Sequence, residues 1–361
     1  MRILQVIDCL GIGGAEKLLV EIVPLLIERG VIVDVLLLNG TKTTFYTELE
    51  SLGVTNIFSL GNSYYNPKYI FMIMPYLKKY DLVHVHLFPA QYLVVLAKIL
   101  SFSKVKLLFT EHSTGNKRLN NPKLRFIENF IYKYYSKIIC ITPQVKNILI
   151  DKLGIDASKL LVIENGVNNN KIEKAIKYDK SNFGYSDEDV LLIMVAAFRH
   201  EKDQDTVIKS LQKLPQNYKL ILVGEGERKE ELKSLIASLN LQERVSFLGI
   251  RNDVYSLLKM SDVAILSSHW EGFGLAAVEA MAAGKPVIGS NVSGLAGVIG
   301  TPDLLFEKGN EVDLANRIKK LITDHNHYLK MQNYALERSV IFDVQIMVSI
   351  YHSLYKNLIN G

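Results

Sequence analysis

Cysteine and tryptophan are almost missing from this chain: two cysteines and one tryptophan occur in 361 residues. Two thiols are too few for a disulfide framework or a cysteine metal cluster. Cys9 and Cys140 each stand beside a predicted strand, so both are expected as buried thiols. Low-complexity tracts and long blocks of like charge are also missing, which excludes an intrinsically disordered chain. Long apolar runs are missing too, the longest, such as 190–198, stopping far short of the ~18 residues a membrane span needs. The opening Met1-Arg-Ile-Leu-Gln-Val-Ile-Asp8 has a polar residue inside its apolar run and no small-residue cleavage pattern, unlike a secretory signal. A cytoplasmic chain that does not cross a bilayer is the expectation.

What is present is an ordinary globular mixture, 48% hydrophobic and 22% charged. The length exceeds one core of roughly 100–200 residues, so two domains are expected. The net charge of +5 is uneven, because residues 1–165 hold 19 Lys/Arg against 13 Asp/Glu and the remainder is balanced. Residues 98–146 concentrate it: Lys98, Lys104, Lys106, Lys117, Arg118, Lys123, Arg125, Lys133, Lys137 and Lys146 stand with only Glu111 and Glu128. An anionic surface is a natural partner for that segment, such as the inner face of a membrane carrying acidic lipid. A nucleic-acid role has no recognisable binding motif to support it.

Short β-rich runs alternate with helical patterns along the whole chain, which predicts an α/β protein with parallel sheets covered on both faces. The first half offers strands at 2–7, 31–38, 82–86, 106–110, 137–142 and 160–164. The second restarts at 190–196, 220–223, 245–248, 263–266 and 287–289, after a polar stretch, 168–189, that reads as the linker. At the end, 342–359 places Val344, Met347, Val348, Tyr351, Leu354, Tyr355 and Leu358 at helical spacing. Domains are expected at 1–167 and 168–340, with 341–361 a terminal helix that needs a surface to cover.

In open α/β sheets ligands sit beyond the carboxyl ends of the strands, and the unusual residues fall there. Gly11-Ile-Gly-Gly-Ala-Glu16 follows the first strand and opens a helix near Glu16. Glycines let the backbone approach a ligand, and a helix N-terminus favours an anion. A Gly-x-Gly-x-x-Gly nicotinamide pattern would require glycine at position 16, where glutamate stands. Phosphate or sugar contact and a plain tight turn both fit. His112, after the fourth predicted strand, reads either as structural or as a group that hydrogen-bonds a sugar hydroxyl or a developing charge. His84 and His86 alternate on one strand and face the same side, as packing or pocket-wall residues.

Phe198-Arg-His-Glu-Lys-Asp203 places Arg199 and Lys202 before a helix, suited to a diphosphate or simply a solvated loop. The strings Asp187-Glu-Asp189 and Asp203-Gln-Asp205 have the form of a magnesium pair. The first lies in the polar stretch and the second in the first turn of a helix, where carboxylates complement the dipole, so no catalytic metal is expected. The most informative segment is Glu271-Gly-Phe-Gly-Leu-Ala-Ala-Val-Glu279. Glu279 stands among Ala276, Ala277, Val278, Ala280 and Met281, where an unpaired carboxylate is costly. Ribose hydroxyls would satisfy it, unless it is a surface glutamate. Glu271 would reach another part of the same ligand, with the amides of Gly272, Phe273, Gly274 and Leu275 exposed to it.

Together these residues resemble the large family-4 (GT4) group of retaining glycosyltransferases with the GT-B fold, whose hallmark is Glu-x7-Glu. The resemblance spans nearly the whole chain: Gly-Gly-Ala-Glu16, Asp81-Leu-Val-His-Val-His86, Glu111-His112, Asn165-Gly-Val167, Lys202, Gly224-x-Gly226 and the block from Glu271 to Gly289. It implies two Rossmann-like, doubly wound domains facing across a cleft, the first on the acceptor side, the second binding a nucleotide sugar, and a terminal helix crossing back to the first. By that likeness Glu279 holds ribose, Arg199 and Lys202 neutralise the diphosphate, and Glu271 with the amides of 273–275 positions the sugar. Gly13, Gly14 and His112 close the site from the first domain, and the base lies near Ile250 and Arg251. His112 and Glu271 are the catalytic candidates. The family arginine falls on Ala197, two residues before Arg199, and a further family glutamate falls on Gly297.

The expected reaction moves a hexose or N-acetylhexosamine from a UDP- or GDP-linked donor to a glycan or lipid-linked acceptor in surface polysaccharide assembly. No metal or other cofactor is expected, because cations and helix termini stabilise the departing diphosphate. A nucleotide-sugar 2-epimerase or hydrolase of the same fold is the rival enzyme. A non-catalytic nucleotide-sugar-binding protein is the other alternative, against which the intact Glu271/Glu279 pair argues.

Overall fold

The computed structural model describes residues 1–11, 13–53, 55–113 and 115–361. The chain divides into two compact units, Met1–Gly166 with Val344–Gly361, and Val167–Asp343.

In the first unit seven parallel strands lie in the order β3-β2-β1-β4-β5-β6-β7. They are β1 (Arg2–Ile7), β2 (Ile32–Leu37), β3 (Ile57–Ser59), β4 (Leu82–His86), β5 (Lys106–Glu111), β6 (Lys137–Cys140) and β7 (Leu160–Val162). Strands buried on both faces need near-continuous apolar runs, and β1, β2 and β4 have them: all but the first residue of β1 and β2, and the whole of β4, are buried. The sequence pattern predicts six strands here and not β3, whose three residues, two half-buried and one exposed, carry too little pattern. The first helix, Gly14–Glu28, begins two residues before the expected Glu16. Cys140 is buried as expected, whereas Cys9 is only half-buried, in the loop that follows β1 rather than inside the sheet.

The last helix, Val344–Asn360, belongs to this unit. Val344, Met347, Val348, Tyr351 and Tyr355 enter the same core as Ile3, Leu19, Ile22 and Leu26 of β1 and the helix Gly14–Glu28. Full burial of such side chains stabilises by about 1.5–3 kcal/mol each. The terminal helix is therefore a structural part of the unit that the chain began with.

The second unit has six parallel strands in the order β10-β9-β8-β11-β12-β13. They are β8 (Val190–Val195), β9 (Tyr218–Val223), β10 (Val245–Gly249), β11 (Val263–Leu266), β12 (Val287–Ser290) and the two-residue β13 (Leu305–Phe306), which pattern reading also missed. The polar stretch 168–189 is not a free linker. It forms the helix Asn169–Lys174 and a short 3-10 turn, Lys180–Phe183, bound to the second unit. Lys259 Nζ donates to the carbonyls of Glu173 (2.6 Å) and Ala175 (2.8 Å), Tyr178 donates to Asp253 (2.8 Å), and Lys180 donates to Asp262 (2.9 Å). Its polar residues serve those bonds, which composition alone does not reveal. Among the described residues no helix is long and apolar enough to cross a membrane.

Candidate functional site

In a doubly wound sheet the crevice opens where the strand order reverses. In the second unit that point lies between β8 and β11. After β8 the chain makes a 3-10 turn, His200–Lys202, and after β11 it passes Ser267 to Glu271 before the helix Leu275–Ala282. The two loops are bonded together. Ser267 Oγ donates to the carbonyls of Asp203 (2.7 Å) and Lys202 (3.0 Å), and the amide of His269 donates to Glu201 O (2.8 Å). Ser290, at the end of β12, donates its hydroxyl to Ser268 O (2.6 Å).

This lattice brings Lys202 and Glu271 together: Nζ donates to Oε2 at 2.6 Å, and Ser268 Oγ donates to the same oxygen at 3.2 Å. Both side chains are mostly shielded, with Lys202 25% and Glu271 14% exposed. In such a setting an ion pair is weakened little by solvent, yet each charge has lost hydration and favours further polar partners. Gly274 caps the helix Leu275–Ala282 at φ +94°, a left-handed conformation that β-carbon sterics disfavour elsewhere. Phe273 is buried and meets Phe342 edge to face at 5.4 Å, so its side chain belongs to the core. Glu279 is 4% exposed among Ala277, Val278, Ala280 and Met281. The reading of position 279 as a surface glutamate is wrong for that reason.

Arg199 stands apart from the Lys202–Glu271 pair. Its side chain is 59% exposed and has Glu201 at 4.0 Å. Asp203 and Asp205 also separate: Asp203 caps the helix Gln204–Ser210 and accepts from the Thr206 hydroxyl (2.6 Å), while Asp205 receives Arg228 at 2.7 and 3.1 Å. Among the described residues no group of three or more metal-ligating side chains converges. Ile250 is half-exposed just past β10, and Arg251 is held by Asp253 at 2.8 and 2.5 Å. Gly297 is exposed on the helix Ser293–Ile299, and its carbonyl accepts from Arg338 (2.7 Å).

The first unit reverses its strand order between β1 and β4. Gly13 is the N-cap of Gly14–Glu28 with extended backbone, and its carbonyl accepts the amide of Lys17 (3.0 Å). Ile12, inside the glycine motif, lies outside the described residues. His112 follows β5, half-buried, with Nε2 3.1 Å from His86 Nδ1. Burial depresses its pKa to about 4. The preceding Glu111 is buried, accepts from the Tyr132 hydroxyl (2.5 Å) and the Ser113 amide (3.2 Å), and is pushed up to about 7 by burial.

Several cations of the basic segment are already engaged. Lys98 donates to Val105 O (2.7 Å), Lys137 to Ser158 O (2.6 Å), and Arg118 pairs with the buried Glu128 while lying over the Phe88 ring. The Lys117 side chain lies outside the description. What the sequence reading did not register is the helix Pro122–Tyr132, which exposes Leu124, Phe126, Ile127 and Phe130 between the exposed Lys123 and Lys133. The apolar spacings 124, 127 and 126, 130 follow the helical period and were legible in principle. Ser267, Ser268 and Ser290 were missed too, their only signal being that they follow strands.

Residues 12–171 match the model of Glycosyltransferase Family 4, and 176–338 that of Glycosyl transferases group 1. The chain is 29% identical over 288 residues to the N-acetyl-alpha-D-glucosaminyl L-malate synthase of Bacillus anthracis, covering 77% of this chain and 75% of that one. It is 31% identical over 230 residues to an Escherichia coli UDP-Gal:alpha-D-GlcNAc-diphosphoundecaprenol alpha-1,3-galactosyltransferase, covering 60% and 59%. The crystal structure of Anabaena HepE in complex with UDP-glucose superposes with a TM-score of 0.87 at 23% identity, covering 99% of this chain and all of that one.

Proposed function

The chain belongs to the family-4 glycosyltransferases, GT-B enzymes that transfer a sugar from a nucleotide sugar, and from that premise we propose that it moves a hexose or N-acetylhexosamine from a UDP-linked donor to a glycan or lipid-linked acceptor in surface polysaccharide assembly, with retention of configuration. The observation that carries this reading is the Lys202–Glu271 pair at the strand-order reversal of the second unit, followed eight residues on by the buried Glu279. UDP as the carrier is supported by the UDP-glucose complex of HepE and by the UDP-galactose named for the E. coli relative. That relative's diphosphoundecaprenol substrate supports a lipid-linked acceptor.

In this reading Glu279 accepts from ribose hydroxyls and Lys202 moves its charge onto the diphosphate. Glu271, released from Lys202, receives the sugar hydroxyls, helped by the amides of Gly272, Phe273, Gly274 and Leu275. Breaking the anomeric bond places negative charge on the departing phosphate, which Lys202 and the helix terminus at Gly274 stabilise without a metal. The leaving phosphate takes the acceptor proton during attack on the same face. Ile250 and Arg251 border the base. Gly13, Gly14 and His112 are the substrate-contacting groups of the first unit, whose role is acceptor binding. Arg199, exposed and near Glu201, is a minor contributor.

The apolar stripe on Pro122–Tyr132, flanked by Lys123 and Lys133, supports reversible docking of the first unit on an anionic membrane. There apolar burial and ~1 kcal/mol per suitably placed cation add. The function is tested by replacing Lys202 or Glu279 with alanine and following nucleotide release from a UDP-sugar panel. Both variants are expected to lose at least about a hundredfold in rate while remaining folded in thermal melts. Full activity in both would sink the site assignment. Product analysis by mass spectrometry separates transfer from 2-epimerisation or hydrolysis.

A further inference from the structure

We propose that Gln5, His86 and Tyr355 form a relay that fixes the ring tautomer of His112, so that His112 offers Nδ1 as a hydrogen-bond acceptor to a substrate hydroxyl. The groups form one continuous chain inside the first unit. Tyr355, on the terminal helix, accepts from Gln5 Nε2 at 3.0 Å, and its hydroxyl lies 2.7 Å from His84 Nδ1. Gln5 Oε1 is 2.9 Å from His86 Nε2, and His86 Nδ1 is 3.1 Å from His112 Nε2. Gln5, His84 and His86 are buried, and Tyr355 is wholly so.

The donors and acceptors then follow one from another. An amide oxygen only accepts, so His86 carries its proton on Nε2 and keeps a lone pair on Nδ1. That lone pair requires a proton on Nε2 of His112, whose remaining ring nitrogen, Nδ1, is an acceptor. On the other side, the amide proton spent on Tyr355 leaves the phenol free to donate to His84 Nδ1. His84 then donates from Nε2 to the Thr110 hydroxyl at 2.7 Å. All three histidines carry the same tautomer, which demands neutral rings. Burial supplies that condition by pushing His84 and His86 well below the usual histidine value, and His112 to about 4. Gln5, His86 and Tyr355 are positioning residues. The role of His112 toward substrate rests on the functional reading above, whereas the relay does not.

The test is nitrogen-15 NMR of the histidine-labelled full chain at pH 7, with His112 assigned by its loss in His112→Asn. The expected result is a protonated Nε2 and a bare Nδ1 at His86 and His112. A protonated Nδ1 at His112, or an imidazolium, overturns the relay whatever the activity shows. Tyr355→Phe is expected to mix the His112 tautomers and lower kcat about tenfold at unchanged donor KM, the scale of losing a partner that orients a functional histidine. In kinetics with a UDP-sugar, His112→Asn, which sets an oxygen where Nδ1 stood, should retain more kcat than His112→Gln, whose amide overlays Nε2. Equal loss in the two overturns the acceptor assignment. Full activity of His112→Ala would instead overturn the substrate role and leave the relay standing.

Discussion

Gly294→Ala should damage the donor loop without unfolding the protein. Gly294 lies in the first turn of Ser293–Ile299, where a methyl group would ordinarily help: alanine is favoured over glycine in helices by about 1 kcal/mol. Here a β-carbon would stand 2.7 Å from the carbonyl oxygen of Gly272, and closer still to that of Glu271, whereas ordinary contact begins at 3.4 Å. The neighbours are backbone and cannot rotate away, and the closer Glu271 carbonyl must yield by more than the 0.7 Å that the Gly272 carbonyl alone would require. A misplacement near 1 Å costs about a hundredfold in rate, so a loss of about a hundredfold in donor kcat/KM is expected. Overpacking should also lower stability by about 1–3 kcal/mol. Gly297→Ala is the control. It sits on the same helix, exposed, with nothing within 4 Å of its β-carbon, and should keep full activity. Steady-state nucleotide release with a UDP-sugar, alongside thermal melts, reads both effects. Wild-type kcat/KM in Gly294→Ala, or equal losses in the two variants, would refute the claim that this helix holds the Glu271 loop in place.

Arg199→Ala should change donor KM by less than about fivefold, because an exposed pair with Glu201 is worth at most ~1 kcal/mol. A loss comparable to that of Lys202→Ala would show that the arginine moves onto the donor. Phe126→Ser with Phe130→Ser should weaken sedimentation with vesicles containing acidic phospholipid, and added salt should weaken it further; binding that ignores both changes refutes the docking stripe. Glu111 predicts a pH effect of definite sign. With its pKa raised from 4.5 to about 7, the native state keeps a proton that the unfolded chain releases, so stability falls as pH rises between those values, by about 3 kcal/mol. Urea titrations from pH 4.5 to 8 should show Glu111→Gln becoming more stable relative to wild type as pH rises, and a constant difference would contradict the assignment.

The two parallel sheets were legible because buried strands announce themselves as short apolar runs between helical patterns. The strands that escaped, β3 and β13, are three and two residues long and lie at sheet edges, where half of each strand's environment is solvent or helix. The polar stretch 168–189 was misread for a related reason. Composition reports that Lys180 and Tyr178 are polar, but not that Asp262 and Asp253 wait for them some 75–82 residues later. At the site, Lys202, Glu271 and Glu279 were visible as unusual residues after strands or inside a small-residue helix. That Lys202 meets Glu271, 69 residues away, while Arg199 does not, depends on the bonds of Ser267 and His269 between two loops. No local pattern encodes those bonds.

The same reasoning separates the terminal helix from a simple cover. Its apolar face was predictable from the spacing of Val344, Met347, Val348, Tyr351 and Tyr355, and helical periodicity explains why those side chains share one face. Periodicity treats Tyr355 as one more hydrophobic residue. The fold makes it the fixed end of a polar chain, because β1 places Gln5 and β4 places His84 and His86 in the neighbouring strands of a parallel pair, Gln5 opposite His84. A hydroxyl at that depth has to be satisfied, and the groups that satisfy it lead from residue 355 back through β1 and β4 to His112 at the end of β5. The helix that closes the apolar core of the first unit thereby also sets the ring tautomer of His112 at the edge of the sheet, so core packing and histidine protonation are specified by one set of contacts.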